Sequence, residues 1–233
     1  MKLSRDTALK IHWIFDQLVP PILRDCKWFM WLPIKILYRH QAHLYFKFRS
    51  NAHNISVAEY DEYYRRIAEV RIDRVTDLNT RSVELILAHV KGPKVLEVGC
   101  GQGYMAHLLQ KAGHDMMAVD MAGTLVPEYG SVPFQRAHVE ALPFQDKQFD
   151  TVVCTHVLEH VLDFQKAVAE LRRVARHLVI VVPRQREYTY TFDLHLNFFP
   201  YNFSFMQAMH KTDAQALCLD ADGDIFYVED ITD

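Results

Sequence analysis

The feature that most constrains this 233-residue chain is a short apolar run that leads into three closely spaced glycines. Residues 95–98 are typical of a buried parallel strand, and Tyr104–Lys111 reads as a helix. Gly99, Gly101 and Gly103 stand between them at every second position. Glycine permits positive φ and close approach of a ligand, and a helix N-terminus directs N–H groups at that ligand. The stretch therefore predicts a ligand-binding turn at the edge of a parallel sheet.

The spacing of the glycines distinguishes two classes of nucleotide-binding turn. A dinucleotide fingerprint is G-x-G-x-x-G, but Tyr104 stands where its third glycine would be. Residues 97–103 instead resemble the first motif, E/D-x-G-x-G-x-G, of the class I S-adenosylmethionine-dependent methyltransferases. The resemblance covers roughly residues 75–229. It implies an α/β fold with a Rossmann-like seven-stranded sheet, mostly parallel with a C-terminal antiparallel hairpin, and the cofactor S-adenosyl-L-methionine.

The remaining apolar segments supply the strands that such a sheet needs. Further strands are predicted at residues 115–120, 132–137, 151–155 and 177–182, and an amphipathic helix is predicted at 164–176. Asp222-Gly223 is a strong hairpin signal between two more strands, at residues 213–219 and 224–229. The chain thus contains the seven strands of the implied sheet.

Two further helices are predicted before the glycine turn. One spans residues 54–74, and Ser56 and Glu59 form a capping box at its start. The other spans residues 81–90, with Asp77 or Thr80 as its cap.

The resemblance also assigns the cofactor contacts. Asp120 ends the second predicted strand about 20 residues after Gly99, a distance at which an acid accepts hydrogen bonds from ribose hydroxyls. Residues 138–144 resemble a family segment that borders the adenine, with His138 where an acid is usual; neutral imidazole can still accept through one nitrogen. The backbone of Val139 would supply another adenine contact. The implied cofactor site comprises Glu97, Gly99, Cys100, Gly101, Gly103, Asp120, Met121, His138, Val139, Glu140 and Thr155.

The segment from His156 to His160 has two interpretations. As H-x-x-E-H it is an inverted zinc-peptidase signature, whose chemistry needs both histidines well inside one helix. A β-branched strand runs directly into His156, however, so the helix is expected to begin only near Leu158 or later. The same residues resemble the V-L-E-H segment that follows the fourth strand in small-molecule methyltransferases, where the strand edge faces the substrate. We therefore assign no metal, and zinc hydrolysis stays the third alternative.

Catalysis of methyl transfer requires alignment of the acceptor and, for an O–H or N–H acceptor, removal of a proton. Three histidines are candidate bases, because imidazole titrates near neutral pH: His156, His160 and His195. His195 is favoured for its aromatic neighbourhood, and residues 195–199 resemble an H-x-N-F-F segment that forms part of the substrate wall in many methyltransferases. Each of the three could equally be a structural histidine.

Residues 1–53 differ in charge from the rest of the chain. They carry nine Lys or Arg and three Asp, a net charge of +6 within a chain of net charge −3. Their most apolar run, residues 26–38, is too short to span a membrane and holds two lysines. Two interpretations stay open: a helical extension that packs over the core, or a segment that contacts a membrane or captures a lipid-like substrate. The second rests on Lys27, Trp28, Trp31, Lys35 and Arg39.

These observations favour methylation of a small, apolar or lipid-like acceptor, at oxygen or nitrogen ahead of carbon. A non-catalytic module that binds S-adenosylmethionine is the alternative. Residues 1–74 are predicted to form a helical cap and residues 75–233 the methyltransferase domain. Sparse basic residues argue against nucleic-acid binding. Four separated cysteines, without a CxxC pair, indicate a reducing cytoplasm, with membrane association left open; the oligomeric state is not determined.

Overall fold

The computed structural model describes residues 5–51, 54–68, 75–122, 125–212 and 214–231. The chain divides into two compact units. The helical unit comprises Met1–Arg74 and Gln185–Phe198, and the sheet unit comprises Val75–Arg184 and Phe199–Asp233. Residues 185–198, which the sequence assigned to the methyltransferase domain, thus group with the helices. The division into two functional domains stays a prediction.

The helical unit contains five α-helices among its described residues. They are α1 (Arg5–Gln17), α2 (Pro21–Arg24), α3 (Lys27–Tyr38), α4 (Ala42–Asn51) and α5 (Val57–Ala68), with a 3-10 turn at Arg39–Gln41. Their buried aromatic and aliphatic side chains pack against Tyr188, Phe192 and Leu194 of the 185–198 segment. The Tyr60 hydroxyl donates to the Leu194 carbonyl at 3.3 Å. The helices and residues 185–198 therefore share two hydrophobic clusters.

A capping box starts α5. The amide of Ser56 donates to Oε2 of Glu59 at 3.0 Å, and the amide of Glu59 donates to Oγ of Ser56 at 3.3 Å. The sequence pattern predicts this cap, and the structure confirms it. The predicted helix extends to residue 74, but residues 69–74 lie outside the described part of the chain.

The described part of the sheet unit contains seven strands and four α-helices, with a 3-10 turn at Pro127–Tyr129. The strands are β1 (Lys94–Val98), β2 (Asp115–Asp120), β3 (Phe134–Arg136), β4 (Phe149–Thr155), β5 (Ala175–Pro183), β6 (Leu217–Ala221) and β7 (Asp224–Asp230). The helices are α6 (Thr80–His89), α7 (Tyr104–Lys111), α8 (Phe164–Val174) and α9 (Asn202–Ala208). Strand order is β3-β2-β1-β4-β5-β7-β6, with β7 antiparallel to both its neighbours. This confirms the predicted mostly parallel sheet with a C-terminal antiparallel hairpin.

Alternate side chains of each central strand face opposite sides of the sheet. Val95 and Val153 join a cluster with residues of α6 and α7, whereas Leu96 and Val152 join a cluster with residues of α8 and α9. Both faces are covered, which is why the central strands are apolar throughout.

Several element boundaries differ from the predictions. Strand β3 spans only Phe134–Arg136, and α8 ends at Val174 because β5 already begins at Ala175. Asn79, rather than Asp77 or Thr80, caps α6: its side chain accepts from the Ser82 amide at 2.8 Å. Helix α9 was not predicted. Residue 213, where the next-to-last strand was predicted to start, lies outside the described residues, and that strand begins at Leu217.

Candidate cofactor and acceptor site

The turn after β1 needs glycine for two different reasons. All three glycines have positive φ. A Cβ on Gly99 would lie 2.0 Å from Cγ2 of Val157, and one on Gly103 would lie 2.5 Å from Cδ2 of Leu125. A Cβ on Gly101 would meet no atom of the described residues within 4 Å. Gly99 and Gly103 are thus required by packing, whereas the space over Gly101 is open to a ligand.

Asp120, at the carboxyl end of β2, stabilises this turn through hydrogen bonds. One carboxylate oxygen accepts from the amide of Gly101 at 2.8 Å, and the other accepts from the amide of Ala122 at 2.8 Å. The amides of Gly99 and Cys100 donate to the carbonyl of Val119 at 2.8 and 3.1 Å. An ionised carboxylate has about four acceptor sites, so these two hydrogen bonds alone do not use all the acceptor sites of Asp120.

Glu97 lies beneath the same turn and is only 2% exposed. Its Oε2 is buried and accepts no hydrogen bond from a described residue. Burial, with a smaller contribution from the negative charge of Asp120, raises the pKa of Glu97 from 4.5 to about 8, although a hydrogen bond from the Ala106 amide opposes the shift. A buried acceptor without a donor is what a cationic ligand would complete.

The predicted adenine segment forms a tight turn between His138 and Ala141. Nδ1 of His138 accepts from the Glu140 amide at 3.2 Å. In a neutral ring Nε2 then carries the proton, so His138 presents a donor rather than the predicted acceptor. Glu140 accepts from the amide of Asp163 at 3.2 Å. Val139 is buried in the core, which leaves its backbone as the contact that the resemblance implies.

The segment after β4 is not helical. His156 adopts a φ of 53°, residues 158–160 form a turn, and α8 begins at Phe164. The amide of His156 donates to the carbonyl of Val181 in β5 at 2.9 Å. The two histidines therefore do not stand one turn apart on a helix, which is the geometry that the zinc-peptidase signature requires.

Two buried carboxylates flank the imidazole of His156. Nδ1 lies 3.3 Å from Oε1 of Glu159, and Nε2 lies 3.5 Å from Oδ2 of Asp224. The same oxygen of Asp224 accepts from Asn79 and Ser82 at 3.0 and 3.1 Å. Burial by itself would lower the pKa of His156, but the carboxylates of Asp224 and Glu159 outweigh it and raise the pKa to about 9. His156 is thus an imidazolium at neutral pH.

The other candidate bases have different surroundings. Nε2 of His160 lies 3.8 Å from Oε1 of Glu159, so this carboxylate faces both histidines of the segment. His195 belongs to the helical unit, where its Nδ1 lies 2.5 Å from Oε1 of Gln185. An amide oxygen only accepts, so Nδ1 of His195 carries the proton and Nε2 is the basic nitrogen of a neutral ring.

The sequence did not identify Asp224 as part of the site. It marked this residue only as the start of a hairpin strand. One signal was present: β7 runs antiparallel beside β5, so its first residue must lie at the carboxyl ends of the parallel strands. In the structure Asp224 pairs with Pro183, and Thr155 pairs with Val181, which brings Asp224 beside His156.

Comparisons with known proteins agree with this architecture. Residues 96–182 match the family described as a methyltransferase domain. A ubiquinone biosynthesis O-methyltransferase of Methylococcus capsulatus is 34% identical over 110 residues, which cover 42% of this chain and 46% of that protein. A probable S-adenosylmethionine-dependent methyltransferase of Mycobacterium tuberculosis is 38% identical over 86 residues, 35% of this chain and 31% of that protein.

A solved structure shows the same fold. A SAM-dependent methyltransferase of Aquifex aeolicus superimposes with a TM-score of 0.51 at 17% identity, covering 64% of this chain and 89% of that one. This chain spans less than half the length of the two curated relatives.

Proposed function

We propose, from the premise that this chain contains a class I S-adenosylmethionine-dependent methyltransferase domain, that it methylates a small, apolar or lipid-like acceptor at oxygen or nitrogen. One observation carries the proposal. The turn after β1 combines open space over Gly101 with a buried acid, Glu97, whose Oε2 accepts from no described donor. Such a site fits a ligand with a cationic group and a ribose.

The residues at the ends of β1 and β2 would hold S-adenosylmethionine. Glu97 would accept from the ammonium of its methionine part, and Asp120 from its ribose hydroxyls. Val139 and His138 would border the adenine, with Cys100, Met121, Glu140 and Thr155 completing the predicted contacts. When bound, the cofactor supplies an electrophilic methyl group on its sulfonium centre. Burial raises the pKa of the Cys100 thiol, which keeps that side chain neutral beside the cofactor.

The protein would contribute alignment of the acceptor and removal of its proton. His195 stays the first candidate base, since Gln185 accepts from its Nδ1 and Nε2 would be the acceptor whenever the ring is neutral. His160 is the second candidate, with Glu159 beside it. His156, charged at neutral pH, would act through its positive charge and not as a base. The name of the Methylococcus relative supports an oxygen acceptor.

Calorimetric titration of S-adenosylhomocysteine tests the cofactor site. We expect the wild type to bind and Asp120→Ala to bind about 1–3 kcal/mol more weakly, because the substitution removes an acceptor from buried polar partners. Asp115→Ala is the matched control, since Asp115 is exposed at the other end of β2 and should bind like the wild type.

Thermal melting of all three proteins establishes that each is folded. A folded wild type that binds no S-adenosylhomocysteine would overturn the proposal. If the same sample held stoichiometric zinc, the zinc-hydrolase interpretation of His156, Glu159 and His160 would replace it.

A further inference from the structure

Helix α3 presents apolar side chains on the face that contacts solvent. Met30 and Ile34 form its buried face. On the opposite side Trp28, Leu32 and Ile36 follow one another at every fourth position and are 91%, 57% and 62% exposed. A surface helix ordinarily carries polar residues there. Side chains four residues apart share one face of a helix, so these three form a continuous apolar stripe, which we call the α3 stripe.

More exposed apolar side chains accompany the α3 stripe in the same unit. Trp31 is exposed on α3 itself, Ile22 on α2, and Trp13 on α1. Scattered exposed apolar residues are normal, but several large ones on one short segment indicate a contact surface. The nature of the partner follows from the charges.

The exposed charges on α3 are positive. Lys27 and Lys35 are exposed, and the helix contains no acidic residue. Nζ of Lys35 lies 4.2 Å from the ring centroid of Trp31, so a cation stands directly beside the exposed aromatic rings. Pairs of tryptophan and lysine of this kind are enriched where protein meets the headgroup region of a bilayer.

The two acids nearest to α3 in the sequence have partners elsewhere in the helical unit. Asp25 accepts from the amide of Thr189 at 2.7 Å, and Asp16 is buried 3.8 Å from Arg24. The exposed side chains of α3 itself are thus apolar or positive, which complements a negatively charged lipid surface. A cationic or neutral protein partner would offer no such match.

We propose that α3 is an interfacial helix that binds the surface of an anionic lipid bilayer. Trp28, Leu32 and Ile36 enter the boundary between headgroups and acyl chains, and Lys27 and Lys35 contact the anionic headgroups. This inference is independent of the proposed methyl transfer, because it concerns only the exposed face of one helix. Among the described helices, none is long and apolar enough to cross a membrane.

Tryptophan fluorescence provides a direct test. The chain contains three tryptophans, Trp13, Trp28 and Trp31, and all are exposed on α1 and α3. We expect vesicles of equimolar phosphatidylcholine and phosphatidylglycerol to shift the emission to the blue, to protect it from acrylamide, and to cosediment the full chain. Vesicles of phosphatidylcholine alone should bind more weakly, and added salt should reduce the difference.

Apolar variants test the stripe. Trp28→Ser should weaken binding by about tenfold or more, since burial of one large side chain is lost. Ile36→Ser should also weaken binding and keeps every tryptophan as a reporter. Phe203→Ser, at an aromatic residue 62% exposed in α9 of the sheet unit, is the matched control and should bind like the wild type.

Charge variants test the choice of lipid. Lys27→Gln with Lys35→Gln should weaken binding to anionic vesicles by about fivefold per lysine and leave binding to neutral vesicles unchanged. Lys111→Gln with Lys166→Gln, two exposed lysines of the sheet unit, should have no such effect. Absence of vesicle binding by the folded wild type would overturn the proposal, as would equal binding by Trp28→Ser. A dimer that Trp28→Ser dissociates, without vesicle binding, would assign the stripe to a second copy of the chain.

Discussion

Two regions at the carboxyl edge of the sheet each contain a pair of acids, but the two pairs have different electrostatic surroundings. After β1 and β2, Glu97 and Asp120 have backbone amides as donors, and the pKa of Glu97 is raised to about 8. After β4, Glu159 and Asp224 enclose His156, whose pKa is raised to about 9. Burial, the Ala106 amide and the negative charge of Asp120 set the pKa of Glu97, whereas the second pair of acids encloses an imidazolium.

We expect this difference to separate a ligand-binding region from a structural one. Ionising a buried acid without a cation costs free energy, which a cationic ligand would recover on binding. In the region of His156 the imidazolium already compensates the buried acids. Removal of this cation would leave Glu159 and Asp224 buried without it. The two regions should therefore respond to neutralisation with opposite signs.

The largest effect on stability is expected in the region of His156. His156→Asn should lower the free energy of unfolding by about 3–5 kcal/mol at pH 7, because Asp224 and Glu159 lose their cation. Asparagine tolerates the positive φ of this position. Because the folded-state pKa of His156 is raised, its contribution is fully present below pH 6.5 and is lost as the pH rises to about 9. Urea denaturation across this range measures both effects.

His210→Asn is the matched control for this experiment, since His210 is exposed and also has a φ of 53°. It should change stability by no more than about 0.5 kcal/mol. A similar loss in both variants would show that the backbone, and not the ion pairs, is responsible.

Neutralisation of Glu97 is expected to raise the free energy of unfolding, the opposite of the effect at His156. The folded protein retains a proton on this carboxyl that the unfolded chain releases, so the free energy of unfolding falls as the pH rises from 4.5 to about 8. Glu97→Gln cannot ionise and should be about 3 kcal/mol more stable than the wild type at pH 7, at about 1.36 kcal/mol for each pH unit above 4.5. The gain should vanish near pH 4.5.

Urea denaturation of the ligand-free protein at several pH values measures this gain. Glu128→Gln, at an exposed glutamate, should show no comparable change. Destabilisation by Glu97→Gln at every pH would contradict the comparison between the two regions.

The smallest effect concerns ligand affinity. An ammonium beside Glu97 would lower the pKa of this carboxyl in the complex, so S-adenosylhomocysteine should expel a proton when it binds below pH 8. Affinity should then rise by up to about tenfold per pH unit and level off near pH 8. Titrations in buffers of different ionisation enthalpy count the released proton. Glu97→Gln should release none, and equal release by both proteins would exclude Glu97 as the source.

Local sequence patterns explain which parts of the fold and of the candidate site were predictable. Residues 95–98 and their glycines predict a strand, a turn and a helix because each signal acts over a few residues. Asp120 was placed at the end of its strand for the same reason. The residue pairs Ser56 and Glu59, and Asp222 and Gly223, act locally as well, and both the cap and the hairpin were predicted correctly.

Contacts between distant segments were not predictable in this way. The sequence suggested His156 as a base, but whether it is neutral or charged depends on Asp224, which arrives from the last hairpin. The order β5-β7-β6 and the antiparallel direction of β7 place that acid at the carboxyl edge. Likewise, the sequence places Glu97 in a buried strand, but only the folded structure shows that its Oε2 accepts no hydrogen bond from a described residue.

The sequence alone determined the class of sheet, the glycine turn and the acid that ends β2, because strand periodicity, turn chemistry and spacing are properties of short segments. Only the tertiary structure decided which acids have a cation, which face of α3 contacts solvent, and that residues 185–198 pack with the helices. Burial and charge pairing depend on which distant segments meet, and that is a property of the folded chain.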